Sequence, residues 1–247
     1  MSRIDDAENL YEKLFEEDDV LKDDPELKDI MKRYIYGDIY NHGELDIKMR
    51  QLITLAVLTT NMTLDQLEDN VKASLNAGVT PVEIKEAVYQ CTPYVGFSKV
   101  ISALKVVNKI FNEKGIKLPL EGQSTTDEDT RFDKGLEVQI NTFGDVIKDG
   151  HKNSPKELYH IQKYLSEYCF GDFYTRKGLD GKTRELLTFC IIATLGGCEN
   201  QLRSHAMGNI ALGVTREVLI NAITQCQPYI GFPRALNAIN IINEVTK

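Results

Sequence analysis

The sequence predicts an all-α fold made as a tandem duplication of one helical module. Three observations carry the prediction. A domain-length stretch of sequence occurs twice, helix start and stop signals fall at the same places in both copies, and the polar–apolar alternation of strands is essentially missing.

The repeat is read directly. Tyr34, Gly37, Asp38 and Tyr40 return as Tyr168, Gly171, Asp172 and Tyr174. Leu45, Asp46, Lys48, Arg50 and Leu52 return as Leu179, Asp180, Lys182, Arg184 and Leu186, and Gly78-Val79-Thr80 returns as Gly213-Val214-Thr215. Gln90, Cys91, Pro93, Tyr94, Gly96 and Phe97 match Gln225, Cys226, Pro228, Tyr229, Gly231 and Phe232. Order and spacing agree apart from one extra residue in the second copy, between Arg184 and Gly213. A period on the order of 130 residues suits a domain-sized unit better than a solenoid. The expected organisation is a first module over 1–118, a linker over 119–131 and a second module over 132–247. The linker contains the polar, turn-rich stretch Gly122–Thr130.

Within each copy the elements follow from their ends. Asp46 and Asp180 are suited to N-cap apolar-rich helices over Lys48–Thr59 and Lys182–Leu195. A second helix ends at Gly78 or Gly213, where glycine accepts the left-handed conformation. Thr80-Pro81-Val82-Glu83 combines an N-cap, proline at the first helical position and a capping-box glutamate, and Thr215 with Glu217 opens the equivalent helix. Pro93 and Pro228 are expected to stop that helix, with a last one running from the Gly-Phe pair to Asn108 or Asn243.

Composition excludes several classes. The 247 residues carry a net charge of −8 and 42% hydrophobic residues, ordinary for a soluble protein, with no basic patch for nucleic acid or an anionic membrane. The N-terminus lacks an apolar signal core, and no apolar run approaches the roughly 20 residues that span a bilayer. Five cysteines, without regular spacing or any CxxC pair, fit reduced thiols, and a cytoplasmic location is expected. His42, His151 and His160 show no ligand spacing, so neither a metal site nor a cofactor is expected.

The chemistry-bearing residues cluster in the second copy. If a helix begins near Cys198, then Cys198, Gln201, His205 and Asn209 share one stripe beside Leu202 and Leu212. A helix start after Gly196-Gly197 places the Cys198 sulfur near the positive end of the helix dipole, which favours a thiolate. Glu185 stands one helix earlier, where it can face His205 and tune its basicity. Blander readings stand beside these: Cys198 as a small capping residue, His205 as a satisfied core histidine, Glu185 in a surface ion pair. In the first copy Thr63, Asn70 and Gln51 replace Cys198, His205 and Glu185, while Gln66 and Arg50 match Gln201 and Arg184. The first copy is therefore expected to be structural and the second catalytic. Cys91 and Cys226 recur at one place in both copies, which favours packing.

The run Leu179-Asp180-x-Lys182-Thr183-Arg184-Glu185-Leu186, then His205, Ala211-Leu212-Gly213-Val214-Thr215 and Pro228-Tyr229-x-Gly231-Phe232-Pro233 resembles the carboxymuconolactone decarboxylase family, within the alkylhydroperoxidase D-like superfamily. The pattern appears in both copies and covers the chain from about Tyr34 to Asn243. The resemblance implies a small-molecule substrate and one of two chemistries. In the lyase form, His205 paired with Glu185 moves a proton while a carboxylated lactone loses carbon dioxide; Arg184, Gln201 and Tyr229 are the candidate substrate-binding residues. Arg50 persists in the copy without titrating residues, which turns Arg184 toward a structural ion pair. In the thiol-peroxidase form Cys198 takes the place of the first cysteine of a CxxC pair, but Gln201 stands at the second, leaving Cys190 or Cys226 to resolve a disulfide. A helical binding or scaffold protein without chemistry is the third reading. The family's assemblies imply a homo-oligomer, with a trimer the simplest for a duplicated chain.

Overall fold

A computed structural model describes residues 2–15 and 21–246, so the outermost bounds of the two expected modules, residues 1 and 247, lie outside it. In the first half, α1 (Arg3–Leu14) and α2 (Pro25–Lys32) lead through a π-helical segment (Arg33–Ile39) to α3 (Ile47–Asn61), α4 (Leu64–Asn76), α5 (Pro81–Gln90), the one-turn α6 (Thr92–Val95) and α7 (Phe97–Glu113). The second half repeats this with α8 (Arg131–Phe143), α9 (Val146–Asn153), a 3-10 turn (Lys156–Leu158) and α10 (Tyr159–Tyr164). A second π-helical segment (Leu165–Tyr174) then precedes α11 (Gly181–Leu195), α12 (Glu199–Ala211) and the long α13 (Arg216–Val245). No strand occurs among the described residues.

The expected caps form. Asp46 accepts from the Met49 amide at 2.8 Å and Asp180 from the Thr183 amide at 2.7 Å, starting α3 and α11. Thr80 and Glu83 close a capping box at α5, and Thr215 caps α13. Gly78 and Gly213, at φ +82° and +79°, end α4 and α12. One expectation is corrected: Pro228 does not stop its helix. The break comes three residues later at Gly231, where φ +77° is open to glycine, and Pro228 and Pro233 both lie inside α13. Proline removes a single helical hydrogen bond; the left-handed glycine turns the chain. Gly96, at φ +84°, makes the equivalent break between α6 and α7.

The two halves share one core. Buried apolar side chains of α3, α5 and α7 pack with those of α11, α12 and α13 in a single cluster. The buried arginines cross between the halves in matching fashion. Arg50 donates to Gln225 Oε1 at 3.1 Å, and Gln225 Nε2 donates to Thr54. Arg184 donates to Gln90 Oε1 at 3.1 Å, and Gln90 Nε2 donates to Thr188. The segment between the modules is not free: Thr125 and Thr126 donate to the carbonyls of Thr175 and Gly171, and the Lys177 amide donates to Gln123 O.

The repeat also reaches further toward the N-terminus than the motifs reveal. Arg3 pairs with Asp38 as Arg131 pairs with Asp172. The close approach of α1 to Gly37 is repeated by α8 at Gly171, where an added Cβ would lie 2.1 Å from Arg131 O. That register puts Tyr11 and Leu14 in one half opposite Gln139 and Thr142 in the other.

Candidate active site

The second half holds a cavity of about 980 Å³ between α8–α10, the π-helical segment and α12. Its apolar wall includes Phe143, Ile147, Phe170, Ile192 and Leu195, and His205 sits on its lining. The α12 helix starts with Cys198 as N-cap, as the two preceding glycines suggest, and carries His205 inward on its second turn.

His205 Nδ1 lies 2.7 Å from Glu185 Oε1, with the glutamate fully buried and the histidine 9% exposed. A carboxylate can only accept, so Nδ1 carries the proton and Nε2 is left for the cavity. The other carboxylate oxygen, Oε2, accepts from the Tyr174 hydroxyl at 2.9 Å. Because the single Tyr174 proton goes to Glu185, its oxygen accepts from Thr188, 2.8 Å away, and from Tyr94, 3.0 Å away. Asn209 ties the turn down by donating to the carbonyls of Glu185 and His205. Phe143 and Tyr94 pack edge-on against the imidazole, at 5.2 and 5.8 Å between centroids. Burial holds the Tyr94 and Tyr174 hydroxyls well above the ordinary tyrosine range. Both therefore remain hydrogen-bond donors across the neutral range.

Of the residues singled out from the sequence, His205, Glu185, Cys198 and Gln201 gather here; Glu185 touches His205, and Cys198 and Gln201 line the cavity. Glu185 is fully buried, which removes the surface ion-pair reading, while His205 is buried against it and lies on the cavity lining. Cys198 is partly exposed and makes no side-chain capping bond. Cys190 and Cys226 are fully buried against one another in the core.

Two substrate-binding assignments are corrected. Arg184 is fully buried away from the cavity, with its guanidinium spread over Glu86, Gln90 and the carbonyls of Arg176 and Lys177. Tyr229 belongs to the equivalent centre of the first half, beside Tyr40 and Thr54. The tyrosine that reaches the cavity is its counterpart Tyr94, contributed across the module boundary.

The first-half centre lacks the carboxylate and the imidazole. Gln51, in the place of Glu185, donates to the Tyr40 hydroxyl at 2.8 Å and accepts from Ser74 at 3.1 Å. Asn70, in the place of His205, turns back to Gln66 O. The buried side chains of Tyr11 and Leu14 fill the space that Gln139 and Thr142 leave open. Sequence reasoning missed Tyr94, Tyr174, Thr188 and the whole wall from α8 to α10. The tyrosines recur in both copies and so read as fold residues, and the α8 wall carries no motif.

With this geometry in view, comparison with known proteins places the chain. The carboxymuconolactone decarboxylase family model matches it twice, over residues 25–109 and 160–244, and the chain belongs to that family. It is similar to the 4-carboxymuconolactone decarboxylase of Acinetobacter baylyi, 30% identical over 49% of this chain and 90% of the relative. It is also similar to the nitrosuccinic acid decarboxylase of Metarhizium robertsii, 29% identical over 35% of this chain and 60% of the relative. An uncharacterized 15.0 kDa protein of Paracoccus denitrificans is 31% identical over 32% of this chain and 60% of its own length. The family and the two named relatives support an enzyme of the lyase class. Among the described residues no helix is long and apolar enough to cross a membrane, and no cluster of three metal-ligating side chains occurs.

Proposed function

We propose that the chain is an acid/base decarboxylase acting on a small carboxylated lactone or a related β-keto acid, with a single working site in the second half. The observation that carries this reading is the buried 2.7 Å contact between His205 Nδ1 and Glu185 Oε1 at the wall of a mostly apolar cavity. In the reaction the bond between the substrate carboxylate and its neighbouring carbon breaks. Its electron pair moves into the adjacent carbonyl of the substrate and carbon dioxide leaves. The enolate then takes a proton at carbon from His205 Nε2, and water restores that proton. Glu185 stabilises the imidazolium that donates it, and the apolar walls favour loss of charge from the carboxylate. Cys198 lines the cavity without a proton-transfer partner and is assigned no step.

The test is turnover of a panel of β-keto acids and carboxylated lactones in deuterated water, following carbon dioxide and the product by NMR. One deuterium per carbon dioxide released, and loss of both in His205→Ala, are expected. Full activity in His205→Ala, or no carbon dioxide from any member, overturns the reading.

The chain is also proposed to form a homo-oligomer, a trimer being the simplest. Phe97 and Ile101 are 58% and 52% exposed, and their counterparts Phe232 and Leu236 are 61% and 57% exposed. Large apolar side chains left bare at equivalent places in both halves suit a contact used twice. Light scattering giving a mass of 27.9 kDa, that of one chain, overturns this.

A further inference from the structure

A hydrogen-bonded chain outside the catalytic pair ends in the cavity. Gln139, on α8, is 3% exposed and lines the cavity. Its Oε1 accepts from the Ser166 hydroxyl at 2.7 Å, and His151 Nε2 lies 2.8 Å from the same hydroxyl. Serine has one proton, and it is spent on Gln139, so His151 donates from Nε2. In this arrangement the amide oxygen is committed to Ser166. The Gln139 Nε2 donors are left, and no hydrogen bond to them occurs among the described residues. In the first half Tyr11 and Lys32 occupy the positions of Gln139 and Ser166, with the Lys32 ammonium 4.5 Å from the Tyr11 ring centre.

The charge of the cavity completes the argument. No lysine or arginine is among its lining residues, and Arg184 is engaged elsewhere. His205 is the one basic side chain among the lining residues, so it offers a counter-ion to one substrate carboxylate and leaves none for another. A second carboxylate on the same molecule would enter an apolar wall with no counter-ion, and unpaired buried charge is strongly disfavoured.

We propose that Gln139 is a specificity-determining residue, and that the cavity takes a monocarboxylate on an apolar body whose neutral carbonyl oxygen is held by the Gln139 amide. This rests on the decarboxylase reading of the site, but it concerns recognition. It separates this chain from any family member that holds a second carboxylate with a cation.

Calorimetric binding tests it with three unreactive probes. These are 4-oxo-4-phenylbutanoate, 4-phenylbutanoate, which lacks the ketone, and the first acid with an added para-carboxylate on the ring. The ketone is expected to strengthen binding about tenfold, the scale of a satisfied hydrogen bond. The second carboxylate is expected to weaken it by about tenfold or more. Gln139→Leu, its fold checked by circular dichroism, binds the first two acids equally. If that variant does not fold, Ser166→Ala, which frees the amide to rotate, is read the same way: a reduced ketone preference supports the proposal and an unchanged one overturns it. Equal or tighter binding of the dicarboxylate overturns it, as does a ketone preference kept in Gln139→Leu, or no saturable binding of any probe up to about 10 mM, an affinity too weak for a built site. Binding is read without turnover, so a protein that binds as stated yet releases no carbon dioxide overturns the lyase reading alone.

Discussion

The Tyr94 hydroxyl, from the first half of the chain, lies 3.0 Å from the Tyr174 hydroxyl in the second, and Tyr174 in turn donates to Glu185. The half that lacks a counterpart of the His205–Glu185 pair thus supplies an outer member of this hydrogen-bond network. Tyr94→Phe removes one donor to Tyr174 and the polar edge beside His205, and a fall in kcat of about tenfold is expected. Tyr229→Phe, the same change in the first-half centre, is expected to leave kcat unchanged. Steady-state kinetics on both variants decides, and equal effects would mean that both centres work.

Much of this was legible from the sequence. The repeat, the Asp46, Asp180, Thr80 and Thr215 caps and the placing of Cys198 at the head of α12 all follow from local signals, and local signals decide helix ends. The exchange of Tyr94 and Tyr229 between centres was not legible. A residue repeated in both copies reads as belonging to its own copy, and only the packing of α3 against α11 shows that each tyrosine crosses over. The open cavity was hidden for a related reason. It depends on Gln139 and Thr142 standing where Tyr11 and Leu14 fill the first half, and the α1–α8 equivalence has almost no identity to reveal it. Arg184 was readable only as far as its copy Arg50 allowed, and its partner Glu86 lies on a distant helix.

That partner makes Arg184 a stability residue. Arg184 and Glu86 form a 2.8 Å ion pair with side-chain exposures of 0% and 2%. Arg184→Met strands much of the Glu86 charge, and breaking a buried pair from one side costs about 3–5 kcal/mol. Arg176, also bonded to Glu86 at 2.9 Å, keeps the loss near the lower end. Urea unfolding is expected to show the loss, with KM of the folded fraction unchanged. A raised KM with little change in stability would return Arg184 to the substrate.

Cys198→Ser is expected to leave decarboxylation within about twofold, since no proton step passes through the thiol. Treatment with a stoichiometric organic hydroperoxide, followed by mass mapping of each cysteine, gives a second check. Cys190 and Cys226 are fully buried, and burial pushes the Cys226 thiol well up, so neither is placed to resolve an oxidised Cys198. Rapid disulfide formation between Cys198 and either of them would instead establish thiol redox chemistry.

Alkaline pH is expected to unfold the protein early. Burial pushes the Cys91 and Cys169 thiols from an ordinary 9.0 up to about 12, and the Tyr229 hydroxyl from 10.0 up to about 12. The folded chain then holds protons that the unfolded chain releases, so stability is full below about pH 9 and is lost as pH rises toward 12. Each group contributes a slope of about 1.4 kcal/mol per pH unit within its window. Urea midpoints measured from about pH 8 to pH 11 check the sign. A midpoint that is flat or rising across that range would contradict the burial of these groups.

Gly208 fixes how closely α12 approaches the Glu185 carboxylate. A Cβ at this position would lie 2.7 Å from Glu185 Oε1 and 3.0 Å from both Phe143 and Thr142. The carboxylate has little room to yield, because Oε1 is bonded to His205 and Oε2 to Tyr174. The first half carries Ala73 at the equivalent place, where Gln51 replaces the glutamate and no proton has to be held. Gly208→Ala is therefore expected to push Glu185 off Nδ1 and lower kcat about 100-fold while the helix itself gains propensity. Gly150→Ala, where an added Cβ meets nothing within 4 Å, is the control. Nitrogen NMR of His205 supplies the decisive readout: the variant should lose the fixed Nδ1–H tautomer in step with kcat. A variant that loses activity but keeps that tautomer would place the damage in the cavity wall at Phe143 and Thr142 instead.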